Sequence, residues 1–135
     1  MNRDAPRATA SGDSSGHAAL SALLVEDSVI IAMDAEDCLR ELGVGHVDSA
    51  ADVAGALAIL ANSSPDLALL DFNLGAETAE AVAAELVRRG IPFWLATGDV
   101  ELEARLGELG ARGLLIKPYG KREMAGMLEE ISRPA

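Results

Sequence analysis

Aromatic side chains are nearly absent from this sequence, with one Trp, one Tyr and two Phe among 135 residues. The core must therefore be aliphatic, built from the plentiful Ala, Leu and Val. Cysteine occurs once, as Cys38. That excludes an internal disulfide framework and a cysteine zinc site, and it suits a reducing cytoplasm. Basic residues are also few: 11 Lys and Arg face 22 Asp and Glu, for a formal net charge of −11. Such a chain has no basic surface with which to neutralise nucleic-acid phosphates. No apolar run approaches the roughly 20 residues of a membrane span. The first residues lack the apolar stretch of a signal peptide.

What the chain has in quantity is apolar residues, which make up 50% of it. At this length they suffice for one domain with a buried core. Residues 1–18 are Ser-, Gly-, Asp- and Ala-rich without periodicity and read as a disordered tail, with His17 a solvated member of it. Leu20–Val25 is then a buried strand running into Glu26-Asp27-Ser28. Ile31, Ala35, Cys38 and Leu42 share one face of a first helix, joined by Ile30 and Leu39, and Gly43 is its stop. On that face Cys38 is a buried core thiol. Val44–Asp48 alternates as an edge strand does, with His46 a polar residue on it.

A second helix starts near Asp52, capped by Asp52 or Ser49, and carries Val53, Leu57 and Leu60. Leu67-Ala68-Leu69-Leu70 is an unbroken apolar run into Asp71, as in a strand covered on both faces. A third helix runs from about Ala76 to Arg89 with Val82, Leu86 and Val87 inward, and Gly90 ends it. Ile91–Ala96 is the fourth strand, with Trp94 as core packing and Pro92 tolerable at its start. A fourth helix carries Leu102, Leu106 and Leu109. Gly113–Ile116 is the fifth strand, and a last helix places Met124, Met127, Leu128 and Ile131 on one side. Strands alternating with helices mean a doubly wound α/β fold with five parallel strands in the order 2-1-3-4-5 and five helices. No output domain is expected after the last helix.

In such a sheet the carboxyl ends of the strands share one edge, where open α/β folds bind ligands. The groups found there are Glu26 and Asp27, Asp71, Thr97 with Gly98, and Lys117. Crowded carboxylates attract a hard divalent cation, Mg²⁺ or Mn²⁺. Asp27, Asp71 and the backbone carbonyl of Asn73 would be its ligands, with Glu26 holding a coordinated water. Asp71 can then accept a phosphoryl group as an acyl phosphate. Lys117 and the Thr97 hydroxyl would stabilise the transferring group, and Gly98 would leave it room.

These segments resemble the receiver domain of two-component response regulators. The matching stretches are Leu24-Val25-Glu26-Asp27, Leu69-Leu70-Asp71, Ala96-Thr97-Gly98, Gly110-Ala111 and Lys117-Pro118-Tyr119. The resemblance covers about Ala19 to Ile131, and the domain is taken as residues 19–132. It implies a flavodoxin-like (CheY-like) fold and Mg²⁺-dependent phosphorylation of Asp71 by a partner histidine kinase. It also implies partner choice through the fourth helix, fifth strand and fifth helix, and a cis Lys117-Pro118 bond. Three residues before the lysine the family carries Tyr or Phe; here stands Leu114, so the usual aromatic relay has no ring. Leu74-Gly75 replaces the frequent Met-Pro, which points to a looser loop. With Ala96-Thr97-Gly98, these features are similar to the stand-alone receivers nicknamed FATGUY, which are often paired with HWE-type kinases. Leu95 replaces that motif's Phe, and Asp99-Val100 its last two residues.

The function so implied is that of a single-domain response regulator, a phosphoacceptor rather than an enzyme. It would act through protein contacts or as a phosphoryl sink. One alternative is a pseudo-receiver, a binding module that takes no phosphate. Another is a small phosphatase of the haloacid-dehalogenase type, but that chemistry wants a second acid where Asn73 stands.

Overall fold

The computed structural model describes residues 19–132. The tail assigned to residues 1–18, with His17, lies outside them. Strands β1 (Ser21–Val25), β2 (His46–Ala50), β3 (Leu67–Asp71), β6 (Phe93–Thr97) and β7 (Gly113–Ile116) form one parallel sheet in the order β2-β1-β3-β6-β7. This is the order expected from the sequence. The extra numbers belong to a two-stranded hairpin, β4 (Asn73–Leu74) and β5 (Glu77–Thr78), outside the main sheet. The helices are α1 (Val29–Glu41), α2 (Val53–Asn62), α3 (Glu80–Arg89), α4 (Leu106–Leu109) and α5 (Lys121–Ser132).

The period-2 alternation of the strands divides the core in two. Leu23 and Val25, Ala68 and Leu70, and Phe93 and Leu95 face a cluster that includes Ala56, Leu60, Val82 and Leu86 of α2 and α3. Ala22 and Leu24, Leu67 and Leu69, and Trp94 and Ala96 face Ala35 and Leu39 of α1 and Met124 and Leu128 of α5. Trp94 packs as expected, against Gly113 of the next strand; a Cβ at Gly113 would lie 3.0 Å from its Cδ1. Local signals place the helices. Ser28 caps α1 by accepting the Ile31 N–H, and Asp52 caps α2 by accepting the Gly55 N–H. Gly43 and Gly90 take positive φ just past α1 and at the end of α3.

The fold departs from the expectations in four places. Residues 76–79 are not helical, because Asn73 to Thr78 pair as the hairpin instead, and α3 begins only at Glu80. Val87, expected inward, is 52% exposed, its Cγ2 lying so near Gly110 that a Cβ there would clash with it. On α1 only Ala35 and Leu39 are buried, while Ile30 is 74% exposed and Cys38 is half-buried beside a groove between α1 and α5. The apolar stripe there is wider than the sheet can cover. The fourth helix is a 3₁₀ segment, Val100–Arg105, followed by the single turn of α4. Of its apolar residues Leu102 is buried and Leu106 and Leu109 half-buried, too little to hold a full α-helix.

Candidate functional site

Asp71 ends β3, a strand whose five residues are all buried. The adjacent strand β6 fixes it: the Phe72 N–H donates to the Ala96 carbonyl at 3.0 Å, and Asp71 pairs in register with Ala96. Glu26 and Asp27 follow β1, the adjacent strand, and the Glu26 N–H donates to the Ala50 carbonyl. One carboxylate oxygen from each of Glu26, Asp27 and Asp71 falls within a set spanning no more than 4.8 Å. Asp27 is exposed, while Glu26 and Asp71 are 3% and 6% exposed.

Lys117, just past β7, reaches back across β6. Its Nζ donates to Asp71 Oδ2 at 3.0 Å and stands 3.2 Å from Glu26 Oε1. Strand alternation explains why these three meet. Glu26 continues the face of Ala22 and Leu24, Asp71 that of Leu67 and Leu69, and Lys117 that of Leu115, all on the α1 and α5 side. The Lys117-Pro118 peptide is cis.

Burial holds the Glu26 carboxyl above its ordinary value; the Ser28 N–H pulls it down, the Asp71 charge pushes it up, and Lys117 again lowers it. Burial works to lower the Lys117 ammonium, but the hydrogen bond to Asp71 and the adjacent Glu26 carboxylate outweigh it and raise it. Tyr119 behind the site is pushed up to about 12, by burial and then by Glu26 and Asp71. Glu26 Oε1 is buried and has no hydrogen bond of good geometry despite the nearby ammonium. An all-oxygen set with one orphaned buried carboxylate oxygen suits a hard cation that keeps waters, which is the chemistry of Mg²⁺.

Thr97 is 2% exposed but belongs to the opposite face by the same alternation, that of Phe93 and Leu95. Its hydroxyl accepts the Asp99 N–H at 3.1 Å. It lines a separate cleft of about 220 Å³ with Phe72, Asn73, Asp99, Glu101, Leu102 and Arg105. The sheet edge thus brings Glu26, Asp27, Asp71 and Lys117 together and leaves Thr97 beside them in a neighbouring recess. Asn73 opens the hairpin with an exposed side chain. A Cβ at Gly98 would meet no atom within 4 Å, so space is open next to Thr97. Leu114 packs half-buried against the α2 and α3 side of the core. The residue the sequence reading missed is Arg105. Its guanidinium lies 5.8 Å from the Phe72 ring centroid and bonds Glu80 at 2.8 Å. A lone Arg in a presumed helix carries no signal of such placement.

A family model for the response regulator receiver domain matches residues 22–129. The chain belongs to that family. Among curated relatives, this receiver is 28% identical over 118 residues to a probable chemotaxis protein CheY of Rhizobium etli, covering 83% of this chain and 92% of that one. It is 32% identical over 116 residues to the sensory transduction protein RegX3 of Mycolicibacterium smegmatis, where it spans 84% of itself and only 50% of the relative. Among solved structures, the response regulator TrrA of Thermotoga maritima, in complex with Mg²⁺ and BeF, superposes with a TM-score of 0.74 at 21% identity, covering 83% of this chain and 98% of that one. The flavodoxin-like receiver fold is thereby shown, and no helix among the described residues is long and apolar enough to cross a membrane.

Proposed function

We propose that this receiver is a Mg²⁺-dependent phosphoacceptor that takes a phosphoryl group on Asp71 from a partner histidine kinase. The observation that carries this is the buried Asp71 carboxylate, bonded by Lys117 at 3.0 Å and grouped with Glu26 and Asp27. An Asp71 oxygen attacks phosphorus as the donor's P–N bond breaks. A P–O bond forms, and the leaving imidazole keeps the electron pair. Lys117 offsets charge on the phosphoryl oxygens. The Thr97 hydroxyl, which only accepts from Asp99, keeps its own proton to donate to one of them. Asp27, Asp71 and the Asn73 carbonyl would hold Mg²⁺, with Glu26 on a coordinated water. The cation supplies neutralisation of the crowded negative charge.

The TrrA complex with Mg²⁺ and BeF supports this reading by its chemistry. The partner would be a kinase, of the HWE type if the FATGUY likeness holds, and the setting the cytoplasm. A downstream protein would meet the α4, β7 and α5 face, or the chain would drain phosphoryl groups from a kinase that also feeds a rival regulator.

Incubation with acetyl phosphate and Mg²⁺ tests the core of this. Intact mass should rise by one phosphoryl group, and fail to rise in Asp71→Asn or with a chelator. An unmodified wild-type chain would instead make it a pseudo-receiver. Mixing the kinase with both regulators separates sink from signal carrier: a sink lowers the rival's phosphorylation.

A further inference from the structure

Arg105 lines the recess of Thr97 and Asn73, next to the strand end that carries Asp71. It is the last residue of the 3₁₀ segment, its guanidinium lies 5.8 Å from the ring centroid of Phe72, and Phe72 is the residue bonded to Asp71. Two carboxylates hold it outward, Glu80 of α3 at 2.8 Å and Glu108 of α4 at 3.4 Å. These ties are weak ones. The Arg105, Glu80 and Glu108 side chains are 41%, 49% and 65% exposed, and exposed ion pairs contribute little. The segment that carries Arg105 is equally yielding, because 3₁₀ hydrogen bonds are poorly aligned and such stretches act as hinges. Leu114, meanwhile, supplies no ring that could turn inward behind Thr97.

We propose that Arg105 is the positioning residue that carries phosphorylation outward, by exchanging Glu80 and Glu108 for the phosphoryl group on Asp71. A phosphoryl group on Asp71 that takes the Thr97 hydroxyl as a donor brings negative charge and strong acceptor oxygens over the sheet edge to the cleft that Thr97 and Arg105 line. Arginine binds such oxygens through paired N–H donors, and these charge-assisted bonds exceed what two solvated carboxylates offer. The swap closes Val100–Arg105 over the cleft and frees Glu80 and Glu108 on the outer surface. The aromatic relay is thereby replaced by a cation relay across the same strand end. This inference rests on Asp71 being the phosphoacceptor.

The experiment uses beryllofluoride with Mg²⁺ on the full chain, following bound fluoride by ¹⁹F NMR and backbone amides by hydrogen exchange. In the wild type, amides of residues 100–105 should slow several-fold once the adduct forms. Arg105→Ala should still form the adduct, about tenfold more weakly, and show no slowing. Arg105→Lys should recover part of the affinity through its charge alone. Glu80→Gln with Glu108→Gln removes the competitors and should tighten the adduct by up to about fivefold. Glu103→Gln with Glu129→Gln, an equal charge change on two exposed acids that Arg105 does not contact, should tighten it less. Wild-type slowing that persists in Arg105→Ala overturns the proposal while the phosphoacceptor reading stands. If the wild type forms no adduct at all, both fall together.

Discussion

Two neighbouring strand ends at one sheet edge are built in opposite ways. Around Asp71 every residue of β3 is buried, and the acid is tied to Lys117 and the register of β6. After β6 the chain runs through a 3₁₀ segment and a single α-turn, with Leu102 alone fully buried among its apolar residues and its ion pairs at the surface. A phosphoacceptor needs fixed geometry, since small misplacements of reacting groups are costly. A segment that reports the event needs low local stability, so that modest differences in contact energy can move it. The molecule spends its packing on the first and leaves the second nearly bare.

Truncation should expose this contrast most strongly. Leu70→Ala on β3, a fully buried side chain, should cost about 2–5 kcal/mol in urea unfolding. Leu106→Ala on α4 should cost about 1 kcal/mol or less, and equal losses would refute the comparison. Next in size is Lys117→Ala, which leaves Glu26 and Asp71 facing each other without their cation. We expect a loss of about 1–3 kcal/mol at neutral pH, shrinking in acid as Glu26 takes up a proton. A metal that binds only the folded chain restores what crowded acids cost, by about 2.7 kcal/mol at a hundredfold excess over its dissociation constant. Mg²⁺ should therefore raise the melting temperature of the wild type and raise it less in Asp27→Asn; no shift in the wild type would count against the cation site.

The smallest effect concerns pH. Glu26 is held above its ordinary 4.5 by burial. Its contribution to stability is complete below that value and is lost as pH rises through the folded-state value, because the folded chain binds the proton more tightly. Metal-free Glu26→Gln should lack this component, giving a flatter stability profile as pH rises above 4.5. An unchanged profile would show that Lys117 already compensates the charge.

The sequence made the sheet legible because five apolar runs with turn signals allow few topologies. It made Glu26, Asp27, Asp71 and Lys117 legible as a group because parallel strands must end on one edge. Their closeness was not separable from that of Thr97, however, since the side to which Thr97 points depends on alternation across a sheet not yet in hand. The hairpin was missed for a similar reason. Gly75 suggested slackness, yet with φ of +71° it begins a tight two-residue turn between Leu74 and Glu77. That also rules out proline at 75 as a gentle way to stiffen this loop, because its ring fixes φ near −65°. Arg105 was invisible because, although Glu108 is only three residues on, Phe72 and Glu80 are distant in sequence and only the fold brings them to it.

Trp94 gives the chain an optical instrument of its own. It is the only tryptophan in the sequence, its indole is wedged against Gly113 of the next strand, and it lies on β6 three residues ahead of Thr97. Indole emission shifts with the polarity and quenching of its surroundings, and here those surroundings are the seam between β6 and β7. Any displacement of that seam becomes a change in fluorescence, measurable in real time on the unlabelled protein as a phosphodonor is mixed in.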